Sequence, residues 1–230
     1  MNMKNKNLLI TGGTSGLGKS LVKHALAQGA RVAVIARRQK LLDTLKSEFP
    51  TVIALQGDVS DKAQIYPLAG AVVSQLGPVD GLFNVASTLG HTPLRTLMDS
   101  DCEDLEKTFE TNVLGPFRLT KALIPDMLLR KKGVVVNISS DAAVSAYAQW
   151  GAYSMSKAAL DHMTRIFAEE LKNSGVHFMS VDPGDMNTPM HFAAIPEADP
   201  ADLKDSDMAA QQLLQHIAAF KPGEPVRSAL

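Results

Sequence analysis

Six short apolar runs, most of them rich in β-branched residues, recur along this chain, each set apart from the next by a longer stretch whose apolar residues fall near helical spacing. The runs are Leu8 to Thr11, Arg31 to Ala36, Val52 to Gln56, Gly81 to Asn84, Val134 to Ser139 and Val176 to Asp182. Helices are expected at Gly16 to Gln28, Gln39 to Glu48, Lys62 to Leu76, Asp101 to Arg130, Tyr153 to Asn173 and Ser206 to Phe220. Strands joined through helices cannot pair as tight hairpins. Each returns by a crossover, which makes the sheet parallel and covers both of its faces. At 230 residues the chain suffices for one full core and is short for two. The expectation is therefore a single doubly wound α/β domain over residues 1–230, with ligands taken at the carboxyl ends of the strands.

The turn after the first strand reads Thr11-Gly12-Gly13-Thr14-Ser15-Gly16-Leu17-Gly18 and opens the first helix. Glycines there let the backbone turn sharply and let a pyrophosphate approach the helix N-terminus, where free N–H groups favour negative charge. About 20 residues beyond such a turn, a carboxylate would accept ribose hydroxyls and repel a 2′-phosphate. That position is Ala36, and the next residue, Arg37, offers a planar fork of donors suited to phosphate. Arg38 is a second candidate, although two arginines at a helix start are also ordinary solvated charge.

Tyr153 and Lys157 stand four residues apart, so both project from one helical face. An ammonium near a phenol stabilises the phenolate, and the pair is expected to bring the phenol's pKa down from about 10 toward working pH. Tyr66 and Tyr147 have no lysine at that spacing. Ser140 lies thirteen residues before Tyr153 at the end of the fifth strand, with Ser139 as the adjacent alternative. Asn112 lies in the long fourth helix four residues before Pro116, which has no N–H; the carbonyl of residue 112 is thereby freed to hold a water. The simpler alternative is a kink at Gly115-Pro116.

Together these segments resemble the short-chain dehydrogenase/reductase family, whose Thr-Gly-x-x-x-Gly-x-Gly and Tyr-x-x-x-Lys patterns appear in order along nearly the whole chain. Gly57-Asp58-Val59 follows the third strand, and Pro183-Gly184 with Thr188 follows the sixth. Asn84-Val85-Ala86-Ser87 stands where the family usually reads Asn-Asn-Ala-Gly, so Val85 and Ser87 depart from the pattern. The resemblance implies a Rossmann-type fold and an oxidoreductase that moves a hydride between NADP(H) and a small carbonyl or secondary alcohol. It implies catalytic roles for four residues. Tyr153 is the general acid/base, Ser140 orients the substrate oxygen, Lys157 tunes Tyr153 and holds the nicotinamide ribose, and Asn112 supports a water relay. The implied cofactor contacts are Gly12, Thr14, Ser15, Gly16, Leu17, Gly18, Arg37, Arg38, Asp58, Val59, Asn84, Ala86, Tyr153, Lys157, Pro183, Gly184 and Thr188. Assembly as a homodimer or homotetramer through the two long helices is implied as well.

Residues 185–204 hold three prolines, two methionines and a phenylalanine, and are expected to be a substrate lid rather than a plain surface connector. With Tyr147 and Trp150, the lid residues Met186, Met190 and Phe192 suggest an apolar pocket; His191 beside them could face substrate, with exposure on the lid as the simpler reading. Lysines and arginines number 23 against 24 acidic residues, which excludes the basic field that drives nucleic-acid binding. Cys102 is the only cysteine, and the scattered histidines lack metal-ligand spacing, so no metal site is expected. No apolar run approaches the roughly 18 to 20 residues of a membrane span, and the short polar start lacks a signal-peptide layout. A cytoplasmic location is expected. The rival readings are a non-catalytic NADP(H)-sensing or scaffold protein and an epimerase or dehydratase of related fold; the latter is expected to need a substrate region beyond Leu230. Whether Lys221 to Leu230 forms a seventh strand is left open.

Overall fold

A computed structural model of the chain describes residues 3–221, 224 and 226–230. Among these, seven strands form one sheet: β1 (Asn7–Thr11), β2 (Arg31–Ala36), β3 (Ile53–Gln56), β4 (Gly81–Asn84), β5 (Gly133–Ile138), β6 (Val176–Asp182) and β7 (Arg227–Ala229). Their order is β3-β2-β1-β4-β5-β6-β7, and every neighbouring pair is parallel. The helices are α1 (Gly16–Ala27), α2 (Gln39–Glu48), α3 (Ile65–Leu76), α4 (Cys102–Phe109), α5 (Gly115–Leu129), α6 (Gly151–Glu170), α7 (Pro189–Ala194) and α8 (Ser206–Ala219). This is the doubly wound, Rossmann-type fold.

Successive strand side chains point to opposite faces, and both faces are apolar here. Leu8, Ile10, Val32 and Val34 pack with Leu21 of α1, Leu45 of α2 and Leu213 of α8. Leu9, Ala33, Ile35 and Val135 pack on the other side with Val72 of α3 and Leu119 of α5. Strand order reverses between β1 and β4, so the loops after these two strands diverge and leave a crevice between them.

Three features differ from the sequence expectation or complete it. The single helix expected from Asp101 to Arg130 is α4 and α5 joined by a widened π turn, Glu110–Leu114, in which the Gly115 N–H reaches back to the Glu110 carbonyl. Pro116 explains the break, since its ring and missing N–H disturb the ordinary helical ladder one turn earlier. Gly115 lies so close to the loop after β3 that a Cβ would stand 2.9 Å from the Val59 carbonyl oxygen. The seventh strand forms, pairing Arg227, Ser228 and Ala229 with Ser180, Val181 and Asp182.

Residues 185–204 contain α7 and a single 3-10 turn, Pro200–Asp202. Thr188 caps α7 by accepting from the His191 N–H, with Pro189 as its first residue. The two ends of the segment are fastened together: Lys204 N–H donates to the Asp185 carbonyl at 2.9 Å, and Asn187 N–H to the Lys204 carbonyl at 3.0 Å. Among the described residues no helix is long and apolar enough to cross a membrane.

Candidate active site

A cleft of about 480 Å³ opens at the carboxyl ends of β1, β4, β5 and β6. Its floor at one end is the turn between β1 and α1. Gly12 has φ +69°, and a Cβ there would lie 2.9 Å from the Cα of Ala86; a Cβ on Gly18 would lie 2.3 Å from the Gly12 carbonyl oxygen. Glycine is therefore required by conformation at the first position and by close packing at the second. Ser15, the N-cap of α1, makes no side-chain capping bond, and the first turn carries no acidic residue. The N-terminal N–H groups of α1 thus face the cleft with the chemistry of an anion site, which a dinucleotide pyrophosphate fits.

Thr11 ties this turn to the loop after β4, its Oγ1 accepting from the N–H groups of Val85 and Ala86, each at 3.1 Å. Because the contacts use main-chain N–H groups, the valine at position 85 leaves them intact. Ser87, the second departure, donates its hydroxyl to Asn112 Oδ1 at 3.1 Å. Asn84 is buried below the cleft, with Nδ2 donating to Asn137 Oδ1 at 2.8 Å, and does not line it. Arg37, Arg38, Asp58 and Val59 line the far end. Arg37 is two-thirds exposed, with Nη1 4.0 Å from Asp58 Oδ2.

Elsewhere on the cleft stand Ser140, Tyr153 and Lys157, with Pro183 and Gly184 also on its wall, and Thr188 lies against the glycine turn, where a Cβ on Gly16 would stand 3.1 Å from its Cγ2. Tyr153 and Lys157 share the buried face of α6, at 8% and 2% exposure. Lys157 Nζ donates to the Ile138 carbonyl at 2.7 Å and lies 5.4 Å from the Tyr153 ring centroid. Burial without a close counter-ion pushes the lysine down to about 8, against the pull of Asp161 and Asp182. The lowering of the Tyr153 pKa expected from sequence is not found in this chain. Burial pushes the phenol above its ordinary value, opposed by a hydrogen bond from Ser140, while the negative charges of Asp182, Asp141 and Asp185 add to the rise. Desolvation of the phenolate outweighs a lysine whose ammonium is directed at a carbonyl.

Ser140 Oγ donates to Asp141 Oδ1 at 3.0 Å and accepts from the Ala142 N–H at 3.2 Å, capping the short turn that follows β5. Burial works against ionisation of Asp141, yet hydrogen bonds from Tyr147, Ser140 and the Ala142 N–H hold it below its ordinary value. Ser139 is 2% exposed, and its hydroxyl makes a long contact with its neighbour's carbonyl. Trp150 meets Tyr153 edge-on with ring centroids 5.8 Å apart, and Leu89, Leu94 and Ala194 pack in the same cluster.

Asn112 is 1% exposed and stands behind the cleft rather than on its wall. Its Oδ1 accepts from Ser87 Oγ and the Thr88 N–H, and its Nδ2 donates to the Thr88 carbonyl and to Ser156 Oγ at 2.9 Å. Both oxygen lone pairs and both amide hydrogens are used, so this side chain has no capacity left for a water. It joins the loop after β4 to α6, where Ser156 Oγ in turn donates to the Tyr153 carbonyl at 2.7 Å. Sequence reasoning passed over Ser156, although its place between Tyr153 and Lys157 was a signal.

The structure decides between the two readings of His191 and moves Phe192 off the pocket. His191 lines the cleft with its side chain 10% exposed, Nδ1 3.7 Å from Asp185 Oδ1. Phe192 is not on the cleft wall, whereas Met186, Met190, Tyr147 and Trp150 are. Helical periodicity explains the exchange, because adjacent residues on α7 face directions about 100° apart.

The chain matches the short chain dehydrogenase family over residues 6–198. It is 37% identical over 193 residues to a short chain dehydrogenase of Pseudocercospora fijiensis, a match that takes in 81% of this chain and 61% of that protein. A short-chain dehydrogenase structure from Streptomyces avermitilis superposes with a TM-score of 0.87 at 32% identity, covering 100% of this chain and 89% of that one. The structure of an actinorhodin polyketide ketoreductase with NADPH superposes with a TM-score of 0.87 at 27% identity, covering 98% and 95%.

Proposed function

From the premise that this chain belongs to the short-chain dehydrogenase/reductase family of oxidoreductases, we propose that it transfers a hydride between NADP(H) and the carbon of a small carbonyl or secondary alcohol. The observation that supports this reading is the meeting, on one cleft, of a glycine turn at a helix N-terminus with the Ser140, Tyr153 and Lys157 side chains. The ketoreductase solved with NADPH supports the choice of cofactor and the carbonyl class. The alternative, a non-catalytic NADP(H) sensor or scaffold, would require no buried phenol beside a buried lysine.

The nicotinamide, when bound, supplies the hydride for a carbonyl carbon or accepts one from an alcohol carbon. The glycine turn, Thr14, Ser15, Leu17, Asp58, Val59, Ala86, Pro183, Gly184 and Thr188 would hold the cofactor, with Arg37 and Arg38 on its 2′-phosphate. Asn84 and Asn112 act from behind the wall. In reduction, the Tyr153 hydroxyl donates to the substrate oxygen, as does the Ser140 hydroxyl on turning from Asp141 Oδ1, so negative charge is met where it develops. Tyr153 gives up its proton to that oxygen, and Lys157, close to its deprotonation range, takes part in returning one. A phenol held above its ordinary pKa is fully protonated at neutral pH, which favours the reductive direction there. Main-chain groups at the π turn would carry any relay behind the tyrosine, since the Asn112 side chain is saturated. Assembly as a homodimer or homotetramer and a cytoplasmic location are part of this proposal.

The test is a screen of NADPH and NADH against ketones, aldehydes, quinones and diketones, with Tyr153→Phe alongside. Turnover with NADPH is expected in the wild type. The variant should lose at least about a hundredfold, the low end for general acid catalysis, while binding NADPH nearly as before. A Tyr153→Phe protein that turns over like the wild type removes Tyr153 from the role.

A further inference from the structure

Beneath Ser140 and Lys157 lies a charge network that the proposed chemistry does not use. Arg227, on β7, donates from Nε to Asp161 Oδ2 at 2.8 Å and from Nη2 to the Ser140 carbonyl at 3.1 Å. The same Nη2 lies 3.5 Å from Asp182 Oδ2. Asp161 is 2% exposed and one turn beyond Lys157 on α6, its Oδ1 accepting from the Ser180 hydroxyl. Asp182 is 6% exposed and ends β6, with Oδ1 accepting from the Gly184 N–H at 3.0 Å. Carboxylates this deep are costly to ionise without a counter-charge and hydrogen bonds. The guanidinium meets both, and a forked planar cation can do so while a third N–H holds a carbonyl.

We infer that Arg227 is a positioning residue for the catalytic group: it fixes the main chain of Ser140 and offsets part of the negative charge of the two carboxylates that face Lys157. The short strand β7 thereby becomes part of the site's support. The kinetic part of this inference rests on the reaction proposed above; the electrostatic part does not.

The charged groups around the pair set the sign. Lys157 is faced by Asp161 from its own helix and by Asp182 from β6, both of which favour the ammonium. Tyr153 is faced by Asp182, by Asp141 after β5 and by Asp185 of the lid, all of which oppose the phenolate. Of the neighbouring cations, Lys204 Nζ is engaged by the carbonyls of Pro183 and Leu230, and His191 lies beside Asp185. Removing the guanidinium leaves the Lys157 ammonium as the remaining counter-charge of Asp161 and Asp182. Both Lys157 and Tyr153 then titrate at higher pH.

The experiment compares Arg227→Gln and Arg227→Lys in the full chain, with Ser228→Ala as a control that breaks the 2.9 Å Ser228–His216 contact on the same strand. One readout is the titration of the Lys157 amine by 15N NMR, assigned with Lys157→Met. The other is the pH profile of kcat/KM with the best substrate of the screen. Arg227→Gln should move both upward by about one pH unit. Its kcat should fall on the order of tenfold, with KM little changed, because Ser140 is displaced. Arg227→Lys should give about half the shift, and Ser228→Ala should lower Tm with no shift. Wild-type Lys157 titration in the arginine variants, or an equal shift in Ser228→Ala, overturns the inference. If Arg227→Gln does not fold, Arg227→Lys decides by the same criterion. The NMR arm needs no turnover, so a shifted titration in a protein that reduces nothing keeps the network and removes the oxidoreductase reading.

Discussion

The proposed preference for NADP(H) rests on two neighbouring side chains. Ala36 leaves the end of β2 without a carboxylate, and Arg37 stands at the rim of the cleft, two-thirds exposed and loosely paired with Asp58 at 4.0 Å. An exposed arginine keeps much of its hydration, so its contribution belongs to the lower part of the range for charge-assisted contacts. NADPH should bind more tightly than NADH by about tenfold, and by less at high salt, where solvent-exposed charge is screened. Ala36→Asp with Arg37→Ala should reverse the order, since the new carboxylate accepts ribose hydroxyls and repels a 2′-phosphate. Titrating both cofactors against both proteins decides the matter; a double variant that still prefers NADPH takes Arg37 out of the role.

At the scale of elements, residues 185–204 have the build of a closing segment. Their ends are fastened by main-chain hydrogen bonds at Asp185, Asn187 and Lys204, and Lys204 Nζ anchors one end to the Pro183 and Leu230 carbonyls. Between these anchors, α7 has six residues and none fully buried. An element with so little buried surface opens at low free-energy cost, while its fastened base stays in place. Met190, His191, Ala194 and Ile195 nevertheless line the cleft, so a bound ligand would add contacts that the free chain lacks. Limited proteolysis should therefore cut first between Met190 and Asp199, and NADPH with substrate should slow that cut. Equal cutting with and without ligands would identify the segment as a plain connector.

For the molecule as a whole, the lysine proposed for catalysis is a cost to the fold. Lys157 is held at about 8 against its ordinary value of 10.5, because burial penalises its ammonium. Below pH 8 the lysine is charged in both folded and unfolded chains, and the folded state carries the full penalty. Between pH 8 and 10.5 the unfolded chain binds the extra proton, so stability from this group rises with pH. The difference in pKa corresponds to roughly 3 kcal/mol at most. Lys157→Met should accordingly unfold at higher denaturant than the wild type at pH 7, with the gap narrowing toward pH 10.5. A gap that is constant across that range would mean that the lysine is solvated in the folded protein.

The division between sequence and tertiary structure follows from the range of the forces involved. Period-two and helical patterns depend on neighbours a few residues away, so six of the seven strands and the helices α1, α2 and α8 were readable within a residue or two, as was the parallel sheet they imply. The glycine turn and the Tyr153–Lys157 pair were readable as local spacings too, although each alone has bland uses and only their order along the chain singled them out. The π turn was only half legible: Pro116 announced a break, but its width depends on how α4 and α5 seat against the rest of the chain. Strand β7 is three residues long and owes its existence to pairing with β6. Burial was decided by tertiary structure too, and burial sets the phenol above its ordinary value, seats His191 inside the cleft and saturates the Asn112 amide. Arg227 lies 66 residues from Asp161 and 87 from Ser140. No local spacing brings such residues together; the sheet does so, by setting β7 beside β6, because hydrogen-bonded strands hold distant segments in register about 4.8 Å apart.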